Sequence, residues 1–152
     1  MEYVMELRKL VGQRPLILPG AVVLIVNQED KVMLQHRHDG SWALPGGLME
    51  LGESLEDTAK REVKEETGLD VSELELVDIC SGPEYYLKLH NGDQLYSVTA
   101  VYLTHDTKGH MNIDYSESRD FQYFNIYDLP EGLNEVNRSY IDSYINKKSV
   151  TR

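Results

Sequence analysis

The stretch from Gly46 to Leu69, GGLMELGESLEDTAKREVKEETGL, constrains the fold more than any other part of the chain, because it writes one helix together with its start and its stop. Ser54 is a natural N-cap, and Asp57 three residues on makes a capping-box-like start. Gly68 tolerates the left-handed conformation that ends a helix. A helix of about 54–67 follows, with Leu55, Ala59 and Val63 at i, i+4 and i+8 as its buried stripe. Strand-like runs stand on both sides of it. PLILPGAVVLIV (15–26) and KVMLQHR (31–37) surround the polar NQED, and WALP (42–45) is a short third strand before the glycine pair. VSELELVDICS (71–81) is read as one strand, and DFQYFNI (120–126) as another. EYYLKLH and QLYSVTAVYL flank Asn91-Gly92-Asp93, a hairpin signal because Asn and Gly accept the positive φ of tight turns. Two further helices are expected. One covers 2–11 and is ended by Gly12 and Pro15; the other covers 134–147, with Val136, Tyr140, Ile141 and Tyr144 on one side. Strands outnumber helices, so a mixed β-sheet covered by helices is the expected architecture.

A chain of 152 residues fits one domain, expected over 1–152, and can bury a real core. The single cysteine, Cys80, allows neither an internal disulfide nor a Cys-rich zinc site, which fits a reducing cytoplasm. MEYVMELRKL lacks the basic start and apolar run of a signal peptide, and the longest apolar run, AVVLIV, falls far below a membrane span. No membrane association is expected. The net charge of -11 argues against nonspecific nucleic-acid binding, which draws its affinity from clustered Lys and Arg. If the ligand is a phosphate compound, a cation must mediate between two anions. Nothing in the chain excludes a homodimer.

The opening stretch carries seven carboxylates. On a helix Glu56 can pair with Lys60, Asp57 with Arg61, and Arg61 with Glu65, all at i, i+4. Glu62 and Glu66 are instead a like-charged i, i+4 pair, and Glu65 lies in the same arc of roughly 100°. Three carboxylates converge on one face. A solvated acidic face is the ordinary meaning of such a run. Beside the bare backbone of Gly46-Gly47 and the further carboxylates Glu50 and Glu53, the cluster also suits a hard divalent cation, which takes oxygen ligands.

Gly47, five residues, Glu53, seven residues, and then Arg61-Glu62-Val63-Lys64-Glu65-Glu66-Thr67-Gly68-Leu69 resembles the signature of the Nudix hydrolases, the MutT-like pyrophosphohydrolases, at every defined position. The resemblance extends over about 16–147. It implies an α/β fold, the Nudix-type α/β/α sandwich with a mixed sheet. It also implies hydrolysis of a pyrophosphate bond in a nucleoside diphosphate linked to a moiety X, with Mg²⁺ or Mn²⁺ as cofactor and a small nucleotide as partner. By position, Glu62 and Glu66 are the implied metal ligands, completed by Glu65 and the Gly47 carbonyl. Arg61 is the implied orienting arginine, with Glu53 as its partner; helix pairing to Asp57 or Glu65 is equally consistent with the spacing.

The chemistry requires these residue types. A pyrophosphate repels an anionic nucleophile, so charge must be neutralised and water acidified. The general base is open between Glu117 and Asp120 in DYSESRDFQYF and Glu65 in the box; Gln122 stands where one subgroup of the family carries a glutamate. Substrate markers conflict. Pro83 resembles the ADP-ribose type, whereas Tyr85 and Tyr86 resemble the dinucleoside-polyphosphate type. Trp42 and these tyrosines are candidates for stacking on a base, and equally for core packing. His36 and His38 lack a third ligand and are read as non-metal. Two other classes stand beside the enzyme. A catalytically silent nucleotide sensor is opposed by the intact box and by an N-terminal segment of about 15 residues, too short for a helix-turn-helix domain. An RNA 5′-end pyrophosphohydrolase is opposed by the missing basic surface.

Overall fold

An almost uninterrupted apolar run, Leu16–Ile25, forms the central strand β1 of the computed structural model, which describes residues 2–150. Its long neighbour β8, Gln94–Thr104, runs parallel to it in unbroken register from Leu16 opposite Leu95 to Ile25 opposite Thr104. On the far side of β1 lies β4, Gly46–Leu48, antiparallel to Gly20–Val22. On the far side of β8 lie β6, Glu75–Cys80, and β7, Tyr86–Lys88, both antiparallel to it. A second sheet places β2, Lys31–Arg37, between β3, Trp42–Ala43, and β10, Ser118–Asn125. The two-residue strands β5, Asp70–Val71, and β9, Thr107–Lys108, make a separate pair. Three helices complete the described chain: α1 (Glu2–Val11), α2 (Leu55–Thr67) and α3 (Glu135–Val150).

Strands buried on both faces need not alternate in polarity, and β1 does not. Ala21, Val23 and Ile25 join Ala100 and Tyr102 beneath α2, where Ala59 and Val63 meet them. The residues between, Leu24 with Val26 and Val101, face the opposite way and pack on Tyr140, Ile141 and Tyr144 of α3. Strand β2 continues both layers, with Met33 on the α2 side and Val32 and Leu34 on the α3 side. Helix α1 closes one end through Val4, packed with Leu18 and Leu95. The result is a mixed sheet layered between helices, an α/β sandwich. Fully buried side chains such as Val63 and Ile141 each contribute about 1.5–3 kcal/mol. Among the described residues no helix is long and apolar enough to cross a membrane.

Several expected boundaries move. The run 71–81 is two strands with different partners: β5 pairs with β9 and β6 pairs with β8. WALP contributes only Trp42 and Ala43 to β3, and the glycine pair enters β4. The first hairpin arm begins with a 3₁₀ turn, Pro83–Tyr85, before β7. The C-terminal helix reaches Val150, beyond the expected 147, and keeps Tyr140, Ile141 and Tyr144 on its buried side. Met1, Thr151 and Arg152, the ends of the expected 1–152 domain, lie outside the described residues.

Candidate active site

Helix α2 begins where expected. The Ser54 hydroxyl accepts from the Asp57 N–H at 3.0 Å, and the Asp57 carboxylate accepts from the Ser54 N–H at 3.1 Å, a complete capping box. Asp57 is thereby committed to the cap, and the Asp57–Arg61 pairing expected from spacing gives way to a different arrangement. Arg61 donates from Nε and Nη2 to the Glu53 carboxylate, at 2.6 and 3.0 Å, in a two-pronged contact. It also donates to the Leu48 carbonyl at 3.0 Å, to Glu62 at 2.9 Å and to Glu65 at 3.3 Å. One guanidinium therefore ties the 48–53 loop to the acidic face of the helix. Glu53 is further fixed by the Glu50 N–H and the Thr58 hydroxyl. The Arg61 hydrogen bond holds the Glu53 carboxyl down at about 2, and Glu53 in turn raises the Arg61 pKa.

Because Ala59 and Val63 anchor α2 to the sheet, Glu62 and Glu66 are drawn to the buried margin, only 9% and 7% exposed. They are not the solvated pair that spacing alone suggests. Glu65, one step round the helix, stays in solvent. Gly47 lies opposite Ala21 on the same side of the sheet, and a Cβ there would stand 2.4 Å from the Glu62 carboxyl group. Only glycine lets β4 approach this closely. The Gly46 N–H donates to Glu66 at 3.2 Å.

Burial, reinforced by the charge of Glu62, pushes the Glu66 carboxyl up to about 9, against the Gly46 hydrogen bond. Burial also raises Glu62, which Arg61 opposes. Without a cation, a proton kept on Glu66 relieves the like charge of the pair. Among the described residues no three His, Cys, Asp or Glu side chains already stand as a gathered metal cage. The donor chemistry nevertheless fits a hard divalent ion: two adjoining carboxylates whose charged forms burial disfavours, a third at their solvent edge, and the backbone of Gly47 against Glu62.

The remaining predicted residues separate by sheet face. Glu117 is exposed, and its charge is felt at Glu66. Phe121 packs on the α2 side, so its neighbours Asp120 and Gln122 turn to the other face, opposite His36 and Leu34. The Asp120 carboxylate accepts from the Phe121 N–H and the Gln122 amide. Trp42 lies on the α3 side, stacked on His36 at 4.1 Å and edge-on to Phe124. Tyr85 is also in the α3-side core, parallel to Tyr140, with its hydroxyl 3.0 Å from that of Ser139. Tyr86 is 37% exposed on the hairpin, beside Tyr96. Neither Trp42 nor Tyr85 shares a side of the sheet with the carboxylates. Arg37 escaped the sequence reading: it is exposed at the end of β2, and its charge reaches Glu66. The period-two row Met33, Gln35, Arg37 was the signal that could have placed it on the α2 side.

Comparison with known proteins identifies the family of the chain. The NUDIX domain model matches residues 17–144. An NAD-capped RNA hydrolase NudC from Vibrio atlanticus is 34% identical over 123 residues, 77% of this chain and 40% of that protein. An ADP-ribose pyrophosphatase from Methanocaldococcus jannaschii is 29% identical over 115 residues, 73% of this chain and 64% of that protein. The chain thus spans well under two thirds of the length of the NudC relative. The crystal structure of a MutT NUDIX hydrolase from Burkholderia pseudomallei superposes with a TM-score of 0.71 at 25% identity, covering 86% of this chain and 98% of that one. With the family model covering most of the chain and the box residues gathered around Gly47, the chain belongs to the Nudix family.

Proposed function

We propose that the chain hydrolyses a pyrophosphate bond in a nucleoside diphosphate joined to a second moiety, with Mg²⁺ or Mn²⁺ held by Glu62, Glu66, Glu65 and the Gly47 carbonyl. The observation that carries this reading is the buried Glu62–Glu66 pair, in which one carboxyl is displaced to about 9 and gains by exchanging its proton for a cation. When bound, the cation supplies neutralisation of phosphate oxygens and acidification of water. Arg61 keeps Glu62 and the 48–53 loop in one frame. Glu117 is the general base in this reading, because its exposed carboxylate stands by Glu66, with Glu65 the alternative from within the helix. Arg37 meets the charge of the substrate phosphates from the opposite strand. Tyr86 is the most exposed ring among the three aromatic candidates for stacking on a base.

The names of the relatives support a narrower substrate class. NAD and ADP-ribose both contain ADP joined to a second ribose, so an ADP-linked small molecule is the proposed substrate. The NAD cap on RNA is the second reading. The NudC relative favours it, and the net charge of -11 opposes it through repulsion of the RNA backbone.

A panel of ADP-ribose, NAD, nucleoside triphosphates, nucleotide sugars, dinucleoside polyphosphates and a short NAD-capped RNA, each with Mg²⁺, Mn²⁺ or EDTA, tests the proposal. The ADP-linked compounds should release AMP, and EDTA should abolish turnover. Turnover that survives exhaustive chelation, or inorganic phosphate as the sole released group, would overturn the mechanism. Faster cleavage of the capped RNA than of NAD would give the substrate to the second reading.

A further inference from the structure

Between β9 and β10 the chain runs from Gly109 to Glu117 without regular structure and carries Glu117 at its end. Its first half is pressed onto the end of α2. Asn112 N–H donates to the Thr67 carbonyl at 2.7 Å, and a Cβ on Gly68 would meet Asn112 at 2.8 Å. Its second half is coiled on itself. Asp114 accepts from the Ser116 N–H and hydroxyl through its side chain, and from the Glu117 N–H through its carbonyl. Where β10 begins, the Ser118 N–H donates to the Asp114 carbonyl at 3.1 Å. His38 adds a tie from the turn after β2: its Nε2 lies 2.8 Å from the Tyr115 carbonyl, and since a carbonyl only accepts, the ring donates. The contact is reciprocated one strand along, where Arg119 Nη2 donates to the His38 carbonyl at 2.6 Å. His38 itself stands on a stiff turn. Arg37 N–H donates to Ser41 O, Gly40 N–H to Arg37 O, and the Asp39 carboxylate accepts from the Ser41 N–H and hydroxyl. Where β10 begins, its register with β2 shifts between Ser118 and Asp120, the local irregularity that re-aims a side chain next to a site.

We propose that His38 is a positioning residue: by holding the Tyr115 carbonyl it fixes the 109–117 loop so that Glu117 faces the carboxylate cluster of α2. The proposal rests on the reading of Glu117 as general base. It assigns His38 a role carried entirely through the loop. One hydrogen bond at a solvent-exposed position shifts a loop equilibrium by a modest factor, so removing it should lower kcat about two- to tenfold and leave KM nearly unchanged.

The test uses the full chain with four variants: H38L, H38Q, E117Q and the H38L/E117Q double. Amide hydrogen exchange at Ser116 and Glu117, and the paramagnetic broadening of the Glu117 amide by Mn²⁺ added alone, report the loop without reference to turnover. H38L should speed the exchange and weaken the broadening at Glu117 while leaving that at Gly47 unchanged. H38Q, whose amide can donate from nearly the same place, should restore both. In turnover of the best panel substrate, H38L should lower kcat in the parent and add nothing in the E117Q background. Unchanged exchange and broadening in H38L, or a loss of kcat that repeats in full on E117Q, overturns the positioning role while Glu117 keeps its own. Parental kcat in E117Q removes the base from Glu117, and the proposal falls together with that reading.

Discussion

Glu66 shows how burial changes the meaning of a charge. Spacing alone makes Glu62 and Glu66 a solvated like-charged pair, a repulsion of about 0.2–0.5 kcal/mol. In the structure both are buried, Arg61 offsets Glu62, and Glu66 avoids the repulsion by holding its proton far above the usual carboxylate range. Glutamine at 66 is then nearly the shape and charge of what the metal-free protein already contains. Glu66→Gln should melt at or above the parent's temperature in EDTA, lose the stabilisation that Mg²⁺ gives the parent, and lose activity. A variant melting far below the parent in EDTA would mean that the carboxylate holds the fold and not the cation. Glu117→Gln belongs to a different class. The side chain is exposed, so stability and Mn²⁺ affinity should stay near parental while kcat falls by the roughly 10² to 10⁴ of an acid–base group. A near-parental kcat would return the role to Glu65.

Helix α2 is the element most legible in the sequence, because its cap, stripe and stop are all local. Gly68 adopts φ 79° as a helix-ending glycine should. Its second duty, making room for Asn112, depends on a loop more than forty residues away and could not be read locally. Two substitutions separate these duties. Ser54→Ala removes one cap hydrogen bond and should destabilise by about 1 kcal/mol. Gly68→Ala adds left-handed strain and a Cβ 2.8 Å from Asn112, and should destabilise more than the cap variant in a urea melt. An equal or smaller loss would show that the loop yields without resistance. The strands were less legible for the same reason. VSELELVDICS has one composition throughout but two partners, and only the sheet decides that Val71 pairs with Thr107 and Ile79 with Ala100. The carboxylates of the box could be named from sequence, whereas Trp42, Tyr85 and Asp120 could not be assigned a side. Trp42 and Asp120 take their faces from registers with β2, and Tyr85 takes its face from the 3₁₀ turn before β7; no local pattern specifies these.

At the scale of the whole molecule the site's two displaced carboxyls act on stability in opposite directions. Glu53, held at about 2 by Arg61, has a folded pKa below its ordinary value of 4.5, so its contribution is present above pH 4.5 and is lost as the pH falls toward 2. Glu66, raised to about 9, does the reverse. Between pH 4.5 and 9 the folded protein retains a proton that the unfolded chain has released, so the metal-free protein loses stability as pH rises through that window. The net charge of -11 adds self-repulsion in the same direction. A cation reverses the slope at this site, because it competes with that proton and binds more tightly as the proton becomes easier to remove. The difference in melting temperature between Mg²⁺ and EDTA should therefore grow steadily from pH 5.5 to pH 8.5 in the parent. In Glu66→Gln, where no proton needs displacing and a ligand charge is absent, the difference should be small at every pH. Melts of both proteins across that range, with and without Mg²⁺, decide the matter. A parental difference that stays flat or shrinks with rising pH would place the cation away from Glu66, and would separate the burial of this carboxylate from metal binding.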